Sequence, residues 1–422
     1  MIKVEKIPAI KQTSLGPIPS DWEVSKLNDV IMQMTDYVAA GSFESLRENV
    51  KVYDDKDFAL YVRLFDLRLG LGHQEQKFVD EKSYTFLRKS NLFGNEILMA
   101  NIGANVGETW LMPEVSLPAT IAPNMIVIRA DNNKVLYNFL FYYTHSPLGV
   151  SKLKELIAGS GHPKINKGEL KTLVVPVPPL IEQKAIAHIL GLMDSTINKN
   201  NQFIAKKELQ KKWLMRNLLT GKKRLKEFSE EWKEIHIKDV SKEVSIRNKA
   251  DNQLTVLSCT KYDGLVPSLE YFGRKIFSDD VSTYKVVPKN HFAYATNHIE
   301  EGSIGYQETL EEALISPMYT VFKTDSSIND NFFYKLLKSH KLVYQYKNRM
   351  EGSIDRRGGL RWDGFSIIKV QIPSYKEQTA IAEVLQSADK EIQLLKSKTE
   401  KLREQKKGLM QVLLTGRKRL IV

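Results

Sequence analysis

Leu180-Ile181-Glu182-Gln183-Lys184-Ala185-Ile186-Ala187 opens a stretch that closes on Leu218-Leu219-Thr220-Gly221-Lys222-Lys223-Arg224-Leu225. A second stretch opens on Tyr375-Lys376-Glu377-Gln378-Thr379-Ala380-Ile381-Ala382 and closes on Leu413-Leu414-Thr415-Gly416-Arg417-Lys418-Arg419-Leu420. Laid together without gaps at an offset of 195, residues 180–225 and 375–420 are identical at 21 of 46 positions. Chance supplies only a handful of matches over that length, so the chain contains a duplication.

Both stretches read as long helices. Glu182 and Glu377 fall in the first turn, where a carboxylate suits the positive end of the helix dipole. The second helix carries a heptad seam of Leu385, Ala388, Ile392, Leu395, Thr399, Leu402, Lys406, Leu409 and Leu413. Its counterpart in the first is Leu190, Met193, Ile197, Asn200, Ile204, Lys207, Lys211, Leu214 and Leu218. Apolar positions at this spacing make a coiled-coil face, and the polar ones can fix register and direction. Gly221 and Gly416 then stop each helix. At ~1.5 Å per residue, a helix of roughly 38 residues spans about 55–60 Å. Surface helices packed on their own domains are the alternative; two matching seams in one chain favour antiparallel pairing, with one domain at each end and approximate two-fold symmetry.

Outside the helices the repeat is fainter. Trp22 with Asp29-Val30 answers Trp232 with Asp239-Val240 at an offset of 210, and Asn95 and Ala100 answer Asn290 and Ala295 at 195. Ile121, Pro123 and Val127 answer Ile315, Pro317 and Val321, and Gly159-Ser160 answers Gly352-Ser353. The first copy therefore holds about 15 more residues between its Trp and its Asn. Alternating runs predict strands at Val175 and Val177, at Ile368, Val370 and Ile372, over Met125 to Ile128 and over Tyr319 to Phe322. Leu136, Phe139, Leu140 and Tyr143 have helical spacing, as do Phe332, Phe333, Leu336 and Leu337. The fold expected is α+β: two mixed domains (1–179 and 226–374) alternating with two helical spacers (180–225 and 375–422).

A net charge of +12 favours a polyanionic partner, nucleic acid before membrane. Cys259 is the only cysteine, which excludes an intramolecular disulfide and a multi-thiolate zinc site. No apolar run approaches a bilayer span, and the N-terminus lacks the apolar core of a signal peptide, so a cytoplasmic location is expected.

Taken together, the duplicated Glu-Gln-x-Ala-Ile-Ala helix starts, the Leu-Leu-Thr-Gly-basic helix ends, the strand-proline segments before each helix and the Trp at each domain start resemble the specificity subunits of type I restriction–modification systems. The resemblance spans nearly the whole chain. It implies two target recognition domains, each reading half of a bipartite DNA sequence, and paired helices that set the gap and dock two methyltransferase subunits, joined by restriction subunits in the full complex. It implies no cofactor in this chain: S-adenosylmethionine, ATP and Mg²⁺ are expected in the partner subunits.

The sequence carries no convincing catalytic constellation. An amino-methyltransferase needs an Asn/Asp-Pro-Pro-aromatic loop; the nearest match, Ser316-Pro317-Met318-Tyr319, lacks the second proline. Gly159-Ser160-Gly161-His162-Pro163-Lys164 lacks the Gly-Lys-Ser/Thr ending of a phosphate loop, and the eight histidines include no His-x-x-x-His pair. A self-contained methyltransferase or nuclease and a scaffold without sequence preference are the rival readings.

For DNA contact, phosphates call for Arg, Lys and small polar groups, while bases favour Arg on guanine and Asn or Gln on adenine. Segment 345–362 reads as a basic flexible loop with Lys347, Arg349, Ser353, Arg356, Arg357, Arg361 and Trp362. Its counterpart runs from Ser160 to Lys167, with His162, Lys164 and Asn166. Further candidates are Arg247, Asn248 and Lys249, Lys261, Arg274 and Lys275, and turns at Asn101, Asn105 and Asn297. Lys222-Lys223-Arg224 and Arg417-Lys418-Arg419 recur at both helix ends, which points to a shared partner or a structural role rather than base contact.

Overall fold

A computed structural model describes residues 9–157, 163–248, 254–351 and 359–420. The chain forms two compact units, Met1–Asn200 with Lys398–Val422, and Asn201–Ser397. Each contains part of both long helices, Leu180–Leu218 and Tyr375–Leu413.

In the first unit a four-stranded antiparallel sheet has the order Thr109–Leu111, Ile97–Ala100, Met125–Ala130, Ile31–Asp36. The second unit repeats that order as Ile304–Gln307, His291–Ala295, Tyr319–Thr324, Ser241–Val244. Asn95 and Asn290, matched in the sequence, enter the second strand of each sheet with φ of 68° and 59°, left-handed values that Asn tolerates better than most residues. In each unit a strand pair forms where the chain enters and leaves: Glu23–Lys26 with Val174–Val177, and Lys233–His236 with Lys369–Ile372. The expected helices are Tyr137–His145 and Asp330–Leu337, which bury Phe139, Leu140 and Tyr143, and Phe332, Phe333, Leu336 and Leu337.

Outside this shared frame the units diverge. The first adds a five-stranded mixed sheet with its own core, including Leu46, Val62, Val79, Leu87 and Ile121. The second has two separate strand pairs, Leu257–Thr260 with Gly264–Pro267 and Lys285–Pro288 with Glu312–Ile315, over much smaller apolar clusters.

The repeated helix motif makes the same contacts in both units. Gln183 accepts from the Leu136 amide (2.8 Å) and donates to the Lys134 and Pro178 carbonyls. Gln378 likewise accepts from the Asn329 amide (2.8 Å) and donates to the Ser327 and Pro373 carbonyls. Each Gln thus joins its long helix to the start of a domain helix. Ile186, Ala187, Ile381 and Ala382 are buried behind them.

Glu182 meets Arg419, whose Nε and Nη2 donate to it at 2.5 and 2.6 Å. Glu377 meets Arg224 in the same way, both bonds at 2.6 Å. The last Arg of each helix end therefore closes on the start of the other helix. Gly416 and Gly221, with φ of 68° and 67°, reverse the chain against Trp22 and Trp232. Arg224 and Arg419 are thus structural.

Every seam residue predicted from the heptad is buried or half-buried. In the first unit Lys406 donates to Asp194 at 2.5 Å. In the second Lys211 pairs with Asp389, Lys207 with Glu391 at 2.8 Å and Lys396 with Glu208 at 2.7 Å. Within each unit, partners run in opposite directions along the two helices, which is antiparallel pairing. Asp194 and Asp389 are repeat equivalents, as are Lys406 and Lys211. Lys211 and Lys406 are therefore matched ion-paired positions in the seam that hold the register.

Candidate nucleic-acid interface

In the first unit, the strand Ile97–Ala100 runs into a turn made tight by Gly103 and Gly107, both at positive φ. The Glu108 amide donates to the Asn105 carbonyl (3.0 Å), and the Gly107 and Ala100 amides donate to the Ala100 and Glu108 carbonyls. The segment that resumes at Pro163 docks on this turn. Gly103 N–H donates to the Pro163 carbonyl (3.0 Å), the Ile165 amide donates to the Asn101 carbonyl (2.9 Å), and Lys164 bridges Ile102. Three sequence candidates, Asn101, Asn105 and Lys164, are therefore brought together.

The second unit builds the same joint. The Leu360 amide donates to the Thr296 carbonyl (2.8 Å), a pair that stands 195 residues on from Ile165 and Asn101. A Cβ on Gly359 would come within 2.2 Å of the Thr296 carbonyl oxygen and 2.6 Å of the Asn297 nitrogen, so the joint requires glycine there. Asn297 and Arg361 flank it. Beside it lies a polar cleft of about 420 Å³ lined in part by Glu243, Lys285, Met318, Tyr319, Arg361 and Trp362. Burial lowers the Lys285 pKa; its Nζ donates to the Tyr319 carbonyl at 2.6 Å.

Other candidates take different places. Lys347 and Arg349 are exposed on the helix His340–Glu351, so segment 345–362 is not one flexible loop. The buried Leu342 and Tyr346, four residues apart, give that helix its inner face. Trp362 begins the helix Trp362–Ser366 and, half-buried, packs on Phe322 (ring centroids 5.5 Å apart) and Phe365 at the edge of the core while also lining the cleft. Asn166 caps Lys167–Lys171 in a capping box with Glu169. Lys167 pairs with Asp36 at 2.8 Å. Asn248 is buried, its amide donating to the Tyr284 carbonyl. Arg247 is exposed and bridges Lys285. Arg274 and Lys275 are exposed, Lys275 paired with Asp279. Lys261 is exposed beside Tyr262. Ser160, His162, Lys249, Ser353, Arg356 and Arg357 lie outside the described residues.

A family model described as the type I restriction modification DNA specificity domain matches residues 19–209 and again 229–404. The chain belongs to that family. Two full-length relatives come from Methanocaldococcus jannaschii. The type I restriction enzyme MjaVIII specificity subunit is 26% identical across 96% of this chain and 94% of its own. The putative MjaX specificity subunit is 24% identical across 100% and 99%. Among solved structures, the S subunit of a type I restriction–modification system from M. genitalium shares the fold with a TM-score of 0.55 at 16% identity, covering 97% of this chain and 99% of that one. A chain from a study of complex assembly and conformational transition in the type I R-M system gives 0.57 at 13% identity, covering 94% and 99%.

The two family matches fall on the two copies read from the repeat. Sequence reading missed Lys285 and Glu243 of the second-unit cleft, and Arg68, whose guanidinium donates to Glu108 at 3.0 Å in the first-unit turn. These residues sit in ordinary strand or helix patterns, and only folding brings them to the joints. No helix among the described residues is long and apolar enough to cross a membrane.

Proposed function

We propose that this specificity subunit is a non-catalytic, cytoplasmic DNA reader. Residues 1–179 and 226–374 each read one half of a bipartite site, and the paired helices of 180–225 and 375–422 set the gap and dock two methyltransferase subunits. Restriction subunits join the full complex, and S-adenosylmethionine, ATP and Mg²⁺ act in those partners. The observation that carries this reading is the repeated joint. Both units dock a basic segment on the turn after the second strand of the same sheet, yet fill it with different side chains, as two readers of different half-sites need. Asn101, Asn105 and Lys164 are the contacts proposed for one half, and Asn297, Arg356, Arg357 and Arg361 for the other.

Selection from random DNA with the full-length chain tests this. A bipartite sequence with a fixed gap is expected, bound on the order of 10³-fold or more above unrelated DNA. Replacing Arg356, Arg357 and Arg361 with Ala should weaken binding and reduce the log–log salt slope by about 0.9 per lost phosphate contact. Unchanged affinity and slope would remove that segment from the interface.

A further inference from the structure

Arg68 stands on the short helix Leu64–Leu69, within the stretch between Trp22 and Asn95 that is longer than its second-copy counterpart. Its guanidinium lies 5.9 Å from the Trp110 ring centroid and donates through Nη2 to Glu108 Oε2 at 3.0 Å. Glu108 belongs to the turn that carries Asn105, and that turn holds Lys164 through the Ile102 bridge. Folding thus gathers Arg68, Asn105 and Lys164 from three distant parts of the sequence onto one turn.

The Arg68–Glu108 pair is open to solvent, with side chains 44% and 51% exposed. A pair that exposed adds little to stability, so stability does not account for an arginine fixed from two sides. Phe65 and Leu69 of the same short helix, and Ile102 of the turn, are exposed as well. Among the described residues the guanidinium donates one hydrogen bond, which leaves most of its five donors available.

We propose that Arg68 reads a guanine in the half-site of the first recognition domain, with Glu108 and Trp110 as positioning residues. The proposal rests on the DNA-reading function above. A planar guanidinium matches the O6 and N7 acceptors that guanine shows in the major groove, and no other base presents that pair. Glu108 holds one edge of the fork and the indole restrains its plane, so the other edge meets the base already oriented. Because Arg68 lies in the region where the copies differ in length, it contributes to one half-site only.

The test is selection from random DNA with the full-length chain, comparing wild type, Arg68→Ala, Arg68→Lys and Glu108→Gln. Wild type should select at least one invariant G·C pair in the half-site that persists when residues 226–374 are exchanged. Arg68→Ala should cut the preference for guanine there by roughly 5- to 150-fold, the range for one bidentate base contact. Arg68→Lys keeps the charge, so affinity for random DNA and its salt dependence should hold while the guanine preference falls; lost packing alone would not separate these. Glu108→Gln should lower the preference less than Arg68→Ala. If Arg68→Ala selects the wild-type half-site with undiminished preference, Arg68 is not the reader, although the bipartite function stands. If wild type selects no sequence at all, the reading function fails, and this assignment fails with it.

Discussion

Trp22 and Trp232 open the two recognition domains at matched places, and their surroundings differ. Trp22 is fully buried and its indole donates to Glu182 at 3.0 Å. Arg419 completes that set with a two-pronged contact to Asp21, both bonds at 2.9 Å. Trp232 is half-buried, and its indole nitrogen is buried without a hydrogen-bond partner among the described residues. Arg224 there binds Glu377 and the Glu230 carbonyl. The same motif thus closes a four-residue network in one unit and a smaller one in the other. The difference teaches that the motif needs only the Glu–Arg closure; the Trp and acidic contacts are added strength.

Breaking that closure should give the largest effects. Glu182→Ala leaves the Trp22 indole without an acceptor and Arg419 with Asp21 alone, and should cost about 3–5 kcal/mol, the range for removing one partner of a buried ion pair. Glu377→Ala should cost less, because no indole depends on Glu377. Denaturant unfolding of both variants measures the order; a reversed order would mean that the Trp contact adds nothing.

The helix-stop glycines sharpen the same contrast. Both hold left-handed backbone, so Gly221→Ala should cost roughly 1–2 kcal/mol through strain. Gly416→Ala adds a clash, because its Cβ would sit 2.3 Å from Pro19 Cδ, against 3.4 Å from the Trp232 ring at Gly221. Overpacking should bring a further ~1–3 kcal/mol. Equal costs in thermal unfolding would show that Pro19 yields.

The frame was legible in the sequence because it repeats. The helix seams, the stops and the Asn95 and Asn290 turns each leave a residue of fixed type at a fixed offset. The interface was legible only in part. Asn101, Asn105 and Lys164 stood out as polar residues near glycines, whereas Arg68 and Lys285 gain meaning from partners far away in the chain. Lys347 and Arg349 were misread as loop because charge was weighed above the Leu342 and Tyr346 spacing. Asn166 and Asn248 were proposed for their amides, which a helix cap and buried backbone contacts occupy instead.

The five-stranded sheet of the first unit covers a sizeable core, while the strand pairs of the second cover small ones. Amide exchange should therefore be faster in Leu257–Thr260 and Lys285–Pro288 than in Ala59–Val62 and Ala119–Ile121. Matching rates would show that core size does not set local opening here.

Asp21 should give the smallest effect. The Arg419 hydrogen bond holds its pKa below the usual 3.8. A depressed carboxylate stabilises above its unfolded pKa, and that contribution disappears as pH falls through the folded value. Asp21→Asn should cost no more than about 1 kcal/mol at neutral pH, and the difference from wild type should vanish at strongly acid pH. A difference that persists there would indicate packing rather than charge.

The central claim, that two equivalent units read DNA independently, is tested most directly by exchanging residues 226–374 for the corresponding domain of a relative and repeating the selection. One half of the target should change, while the other half and the gap stay as they were. A change in both halves, or in the gap, would contradict independent reading.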